Sequence, residues 1–141
     1  MKYEEIENIL ADSLEKENEN YGITTEDEWQ ILSNKIGIKF NNDFKYFIKL
    51  MSYWSFPGDI YNVSKTNNNG NDTIEEVYFQ ELKNGDWNIN MIPFYGIGNG
   101  DYFCLNKTDE QVYYYFADKE KYEVYCNSFE NWIKELRNFL E

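Results

Sequence analysis

The residues able to do acid-base or nucleophilic work in this chain are carboxylates and two thiols, because the sequence contains no histidine. That removes the usual general base, the commonest metal ligand and the middle member of a Ser-His-Asp triad. Neighbouring carboxylates occur at Glu75-Glu76, at Asp109-Glu110 and at Asp118 with Glu120. A carboxylate-only site, for instance one using Asp101 and Glu123, needs one carboxyl held as an acid by a positioned partner, and nothing in the spacing supplies that partner. Cys104 and Cys126 lie outside any Cys-x-x-Cys, which argues against a zinc site or a disulfide scaffold and for free thiols in a reducing compartment. Gly96-Ile97-Gly98-Asn99-Gly100 superficially has the composition of a phosphate-cradling loop. An anion site of that kind needs a following helix N-terminus, however, and residues 101–106 read as strand. The glycines better suit a positive-φ turn or bulge. The Asn-x-Ser/Thr sequons at Asn62, Asn71 and Asn106 carry no meaning without a secretory signal. No catalytic residue, no metal site and no cofactor are expected.

Composition narrows the alternatives further. The 141 residues fit one domain, 1–141, large enough for a self-sufficient core. With 26 acidic against 13 basic residues the formal charge is −13, so the molecule repels phosphate backbones and anionic lipid. Direct nucleic-acid binding and membrane association are therefore not expected. A mean hydropathy of −0.76 together with this charge would suit disorder. Against that stand 13 tyrosines, 10 phenylalanines and 4 tryptophans, more apolar area than disordered chains carry. The first residues, Met1-Lys2-Tyr3-Glu4-Glu5, have no apolar signal region, and no stretch approaches the ~18 apolar residues of a membrane span. A cytoplasmic location is the expectation.

The elements that must position any working surface follow from periodicity. Ile6, Ile9, Leu10 and Leu14 form a helical stripe over residues 3–17. Residues 16–22 read as its end and a loop. Thr25 stands three before Glu28, a capping-box spacing that opens a helix over 25–36 with Trp29, Leu32 and Ile36 inward and Gly37 as its stop. Asn42 or Asp43 can cap a third helix carrying Phe44, Phe47, Ile48 and Met51. From Ser55 onward the pattern changes to strand-forming runs at 59–64, 74–80, 87–92, 94–97, 101–106, 111–117 and 122–126. Between them, residues 66–72 are a polar loop and Lys83-Asn84-Gly85-Asp86 carries an Asn-Gly hairpin signal. Ser128 caps a closing helix with Phe129, Trp132, Ile133, Leu136, Phe139 and Leu140 on its apolar stripe, so the C-terminus is expected to be docked.

Helices, then strands, then a helix define an α+β class: an antiparallel sheet of about five to six strands flanked by N-terminal helices and a C-terminal helix. Strand parity places Val77, Phe79, Phe103, Leu105, Val112, Tyr114, Phe116 and Val124 on one face. It leaves Tyr78, Tyr102, Tyr113, Tyr115, Glu123 and Tyr125 on the other. A tyrosine-rich face is either packed under a helix with its hydroxyls reaching water, or a recognition surface.

Three strings resemble the SUKH superfamily of Smi/Knr-like proteins. The segment from Ile36 to Ile48, Ile-Gly-Ile-Lys-Phe-Asn-Asn-Asp-Phe-Lys-Tyr-Phe-Ile, is similar to the family's entry into a helix, with Phe40-Asn41 where the family has Leu-Pro. Ile92-Pro93-Phe94, leading through glycines to Gly100-Asp101-Tyr102-Phe103-Cys104-Leu105, resembles its central strand, glycine-aspartate turn and next strand. Val112-Tyr113-Tyr114-Tyr115, Asp118 and then Ser128-Phe129-x-x-Trp132-Ile133 resemble its late strand and the start of its final helix. The glycine-rich segment that follows the family's third helix is reduced here to residues 52–58.

The resemblance implies a non-catalytic bacterial immunity protein whose surface selects one cognate toxin domain, a nuclease among the candidates. The same fold also serves as a regulatory adaptor in cell-wall or stress control. An acidic, aromatic exterior can fill the positive groove that a nuclease must present. On that reading Asp59, Glu75, Glu76 and Asp101 are the flanking acids, and Trp87, Tyr102 and Tyr113 are the aromatic anchors.

Overall fold

The computed structural model describes residues 3–13, 24–51, 56–64 and 72–135. Leu14, the 16–22 loop, most of the 66–72 loop, residues 52–55 and the Leu136, Phe139 and Leu140 end of the closing helix lie outside them. The elements run α1 (Tyr3–Ser13), α2 (Glu26–Ile36), α3 (Asn42–Met51), β1 (Asp59–Ile60), α4 (Ile74–Lys83), β2 (Met91–Gly96), β3 (Tyr102–Asn106), β4 (Val112–Phe116), β5 (Lys121–Cys126) and α5 (Phe129–Lys134). The five strands form one antiparallel sheet in chain order, β1 to β5, so the α+β architecture read from the sequence is the one observed.

Local chemistry explains the helix starts. The Thr25 hydroxyl accepts from the Glu28 amide at 3.2 Å while Glu28 accepts from the Thr25 amide at 3.0 Å, closing the expected box. Ser128 accepts from the Asn131 amide at 3.1 Å to start α5. For α3 the cap falls one residue earlier than expected: Asn41 Oδ1 accepts from the Phe44 amide at 2.7 Å, and Asn42 and Asp43 are already inside the helix.

Three expected elements are corrected. Residues 74–80 are helix, not strand: Thr73 and Glu76 form a second capping box, at 3.1 and 3.3 Å, and Ile74 and Tyr78 bury one helical face. The Asn84-Gly85 pair ends that helix instead of turning a hairpin, with Asn84 as its C-cap. Residues 87 and 88 are irregular and 89–90 form a turn, and the pieces expected at 87–92 and 94–97 are replaced by the single strand β2. Pro93 is tolerated inside β2 because the ladder shifts between Pro93 and Tyr95.

Register then fixes the faces, since directly opposed residues share one side of the sheet. Phe103 pairs with Tyr114, and Leu105 with Val112, toward the helices. There Phe44 and Phe47 of α3, Phe94 of β2, and Phe129 and Trp132 of α5 pack with ring centroids 5.0 to 5.7 Å apart for Phe47–Trp132 and Phe94–Phe129. All five are buried. Such pairs add about 0.5–1.5 kcal/mol each beyond area burial. On the opposite face Tyr102 pairs with Tyr115 and Cys104 with Tyr113. A second register shift, between Val112 and Tyr113, corrects the parity of the last strand: Val124 pairs with Tyr113, while Glu123 pairs with Tyr114 and Tyr125 packs on Phe103. Val77, Tyr78 and Phe79 drop out of the sheet altogether, being helical.

Candidate partner-binding face

The helical layer covers one side of the sheet, and α4 with the turn after it covers only part of the other. The α4 C-cap throws the chain back so that Trp87 lies on the sheet, its indole Nε1–H donating to the Met91 carbonyl at 2.8 Å. Around it stand Tyr102, Tyr115 and Tyr122, with ring centroids 5.7, 4.8 and 5.2 Å away and the planes steeply inclined. The Tyr122 hydroxyl accepts from the Asn88 amide at 3.0 Å, and the Tyr102 hydroxyl donates to Glu81 at 3.3 Å. Farther out, the Tyr113 hydroxyl donates to Asp109 at 2.7 Å, with Val124 beside it, 49% exposed.

Three acids rim a cleft beside Trp87: Glu81 from α4, Asp86 from the following turn and Glu120 from the turn between β4 and β5. The cleft holds about 200 Å³. Glu120 has φ +51, a left-handed conformation that a glutamate rarely adopts and that disfavours its Cβ. The phenols here resist ionisation. Tyr122 is pushed up to about 12, mainly by burial, with the Asn88 amide pulling the other way. Tyr102 is raised by burial and then by the charge and hydrogen bond of Glu81. Tyr115 is raised by burial, then by Glu120 and Glu81, and Tyr113 first by its hydrogen bond to Asp109.

The structure thus brings Trp87 and Tyr102 together, with Tyr113 farther along the same sheet face. Trp87 is only 9% exposed, so its contribution to any contact is a supporting floor with little open area. The four acids singled out from sequence lie elsewhere. Asp59 is exposed in β1, at the far edge of the sheet. Glu75 pairs with Lys35 at 3.0 Å, and Glu76 closes the α4 capping box. Asp101 accepts from the Tyr114 hydroxyl and from the Ala117 amide, both at 2.8 Å, tying the turn before β3 to the end of β4. Sequence reasoning missed Glu81, Asp86 and Glu120. Glu81 becomes visible once 74–83 is read as helix, because it then follows Tyr78 by three positions on the inward side.

Among the described residues no group of three histidine, cysteine or carboxylate side chains is placed to hold a metal ion, and no helix is long and apolar enough to cross a membrane. Cys104 is buried and Cys126 half-buried, both as free thiols.

These features define an α+β protein whose sheet carries a helical layer on one side and α4 over only part of the other. The chain belongs to the SUKH family, whose model, described as SMI1-KNR4 cell-wall, matches residues 4–138. Among solved structures it is similar to a crystal structure of a protein from Pseudomonas syringae pv. tomato, with 18% identity and a TM-score of 0.68 over 94% of this chain and 96% of that one. At that identity the likeness is one of fold. A search of curated proteins gave no match.

Proposed function

We propose that this protein is a bacterial, cytoplasmic immunity protein that binds and neutralises a cognate toxin domain, a nuclease in the first instance, without catalysing a reaction. The observation that carries the reading is the partly open sheet face, where tyrosines and a tryptophan are ringed by Glu81, Asp86 and Glu120 in a molecule of charge −13. A nuclease holds its substrate in a positive groove, and a rigid acidic face with aromatic anchors occupies that groove and excludes the nucleic acid. Trp87, Tyr102 and Tyr113 belong to the proposed contact, and Asp59, Glu75, Glu76 and Asp101 act as outlying charge that steers approach. The binding protein itself makes no direct contact with nucleic acid or membrane.

Co-expression with the product of the neighbouring toxin gene tests this. Rescue of growth by this chain supports the proposal, and equal killing with and without it refutes the proposal for that pair. Where the pair associates, the association rate should fall steeply between low and physiological salt while dissociation changes little. Equal association rates at both salts would remove steering from the account.

The cell-wall description of the matching family model favours a second reading, a regulatory adaptor in cell-wall control. Affinity capture of a stable housekeeping partner, together with a deletion that exposes no toxicity, would select the adaptor over the immunity role.

A further inference from the structure

The cleft beside Trp87 has a more selective chemistry than an acidic surface. Three rings line it, Trp87, Tyr115 and Tyr122, the last two 4.9 Å apart between centroids, beside Asn84 and the three acids. Its volume of about 200 Å³ leaves room for a side-chain head group. The carboxylates come from three separate elements and do not converge on a point, so they suit an extended cation better than a small metal ion. Asp86 and Glu120 make no ion pair among the described residues, and Glu81 takes a single long hydrogen bond from Tyr102. A guanidinium is planar, weakly hydrated and furnished with five donors, and it stacks on aromatic faces. An ammonium is a compact, strongly hydrated point charge that would leave the separated acids partly unmet.

We propose that this cleft receives one arginine side chain of the protein partner, its guanidinium against the Tyr115 and Tyr122 rings above the Trp87 floor and hydrogen-bonded to the acids of the rim. The inference rests on the protein-binding role proposed for this face and names the residue type that the face selects. Burial, Glu120 and Glu81 raise the Tyr115 phenol, and a cation seated in the cleft relieves the charge part of that shift.

Titration of the full-length protein with methylguanidinium chloride, followed by NMR at the Trp87 indole N–H and the Tyr122 ring, tests the site without any toxin present. Saturable shifts in the millimolar range are expected, absent with sodium chloride at matched ionic strength and about threefold weaker with methylammonium. The exposed pair Asp86→Asn with Glu120→Gln should raise the dissociation constant about tenfold while the protein stays folded, two rim charges being lost. Shifts equal to those in sodium chloride, tighter binding of tetramethylammonium, or indifference to the paired substitution would each overturn the assignment. A negative titration leaves toxin neutralisation to its own co-expression test, and a failed co-expression leaves the cleft's guanidinium binding to this one.

Discussion

Removal of the Asp101 carboxylate offers a quantitative test of what holds the open face in place. Asp101 Oδ2 accepts from the Tyr114 hydroxyl and Oδ1 from the Ala117 amide, each at 2.8 Å, and the aspartate is half-buried. Hydrogen bonds to a charged acceptor contribute about 1.5–3 kcal/mol each, and partial exposure places these two at the low end. Asp101→Ala should therefore cost about 3 kcal/mol, lowering the melting temperature by roughly 10 °C for a chain of this length. Asp101→Asn keeps an oxygen for the Ala117 amide and offers an amide N–H to the Tyr114 oxygen, so only about 1 kcal/mol is lost. Urea denaturation of the two variants, of Tyr114→Phe and of the double Asp101→Ala, Tyr114→Phe closes a cycle with an expected coupling of about 1 kcal/mol. Tyr114 itself is pushed up to about 12, first by burial and then by the Asp101 hydrogen bond and charge. In Asp101→Asn its phenol should titrate at lower pH, read from the tyrosine ring carbons by NMR. An alanine variant within about 0.5 kcal/mol of the parent, or no coupling to Tyr114, would refute the proposed tie.

Alkaline pH supplies a second test. Tyr61, Tyr95, Tyr102, Tyr114 and Tyr122 all have phenols raised above the ordinary value of 10.0, so the folded chain binds more protons than the unfolded one above that pH. Their contribution to stability is complete below about pH 10 and lost as pH rises through the folded values. Urea midpoints should hold from about pH 8 to about pH 9.5 and then decline, and a flat profile to about pH 11 contradicts the burial argument. At Gly58, with φ +77, an added Cβ would sit 2.6 Å from the Gly96 carbonyl oxygen, whereas at Gly85, with φ +124, it would meet nothing within 4 Å. Gly58→Ala should cost more than about 2 kcal/mol and Gly85→Ala about half that, and equal losses by thermal melt would mean that contact with β2 is irrelevant. Thr73→Ala removes the α4 cap and should cost about 1 kcal/mol in the same melts, with no change expected if the box is ornamental.

What the sequence made legible was whatever repeats a local rule. The capping spacing Thr25-x-x-Glu28 was decisive for α2, and the same spacing, Thr73-x-x-Glu76, was present for α4. There the run Ile74, Val77, Tyr78, Phe79 also satisfied strand propensity, and Asn84-Gly85 imitated a hairpin. Burial of Ile74 and Tyr78, one turn apart, decided the competition in favour of helix. Bulges were illegible for a different reason. Period-two reading assigns a face only while the ladder is regular, and one shift at Val112/Tyr113 exchanges the faces of Val124 and Glu123. Pro93 misled in the same way, looking like an interruption when the shift beside it lets β2 continue. The family strings were legible because they mark turns and caps. The cleft was not, since its acids sit on three elements that only the assembled sheet brings together.

Along β4 the pleat gives adjacent positions separate tasks: Val112 and Tyr114 turn toward the helical layer, while Tyr113 and Tyr115 turn away from it. Exposed substitutions away from caps and cores cost within about 0.5 kcal/mol, so changes at the exposed Val124, across the ladder from Tyr113, leave the Phe94, Phe103 and Trp132 packing intact. Under mutational drift such a scaffold can change its outward side chains one residue at a time, with foldability and outer surface inherited almost independently on alternate positions of a single strand.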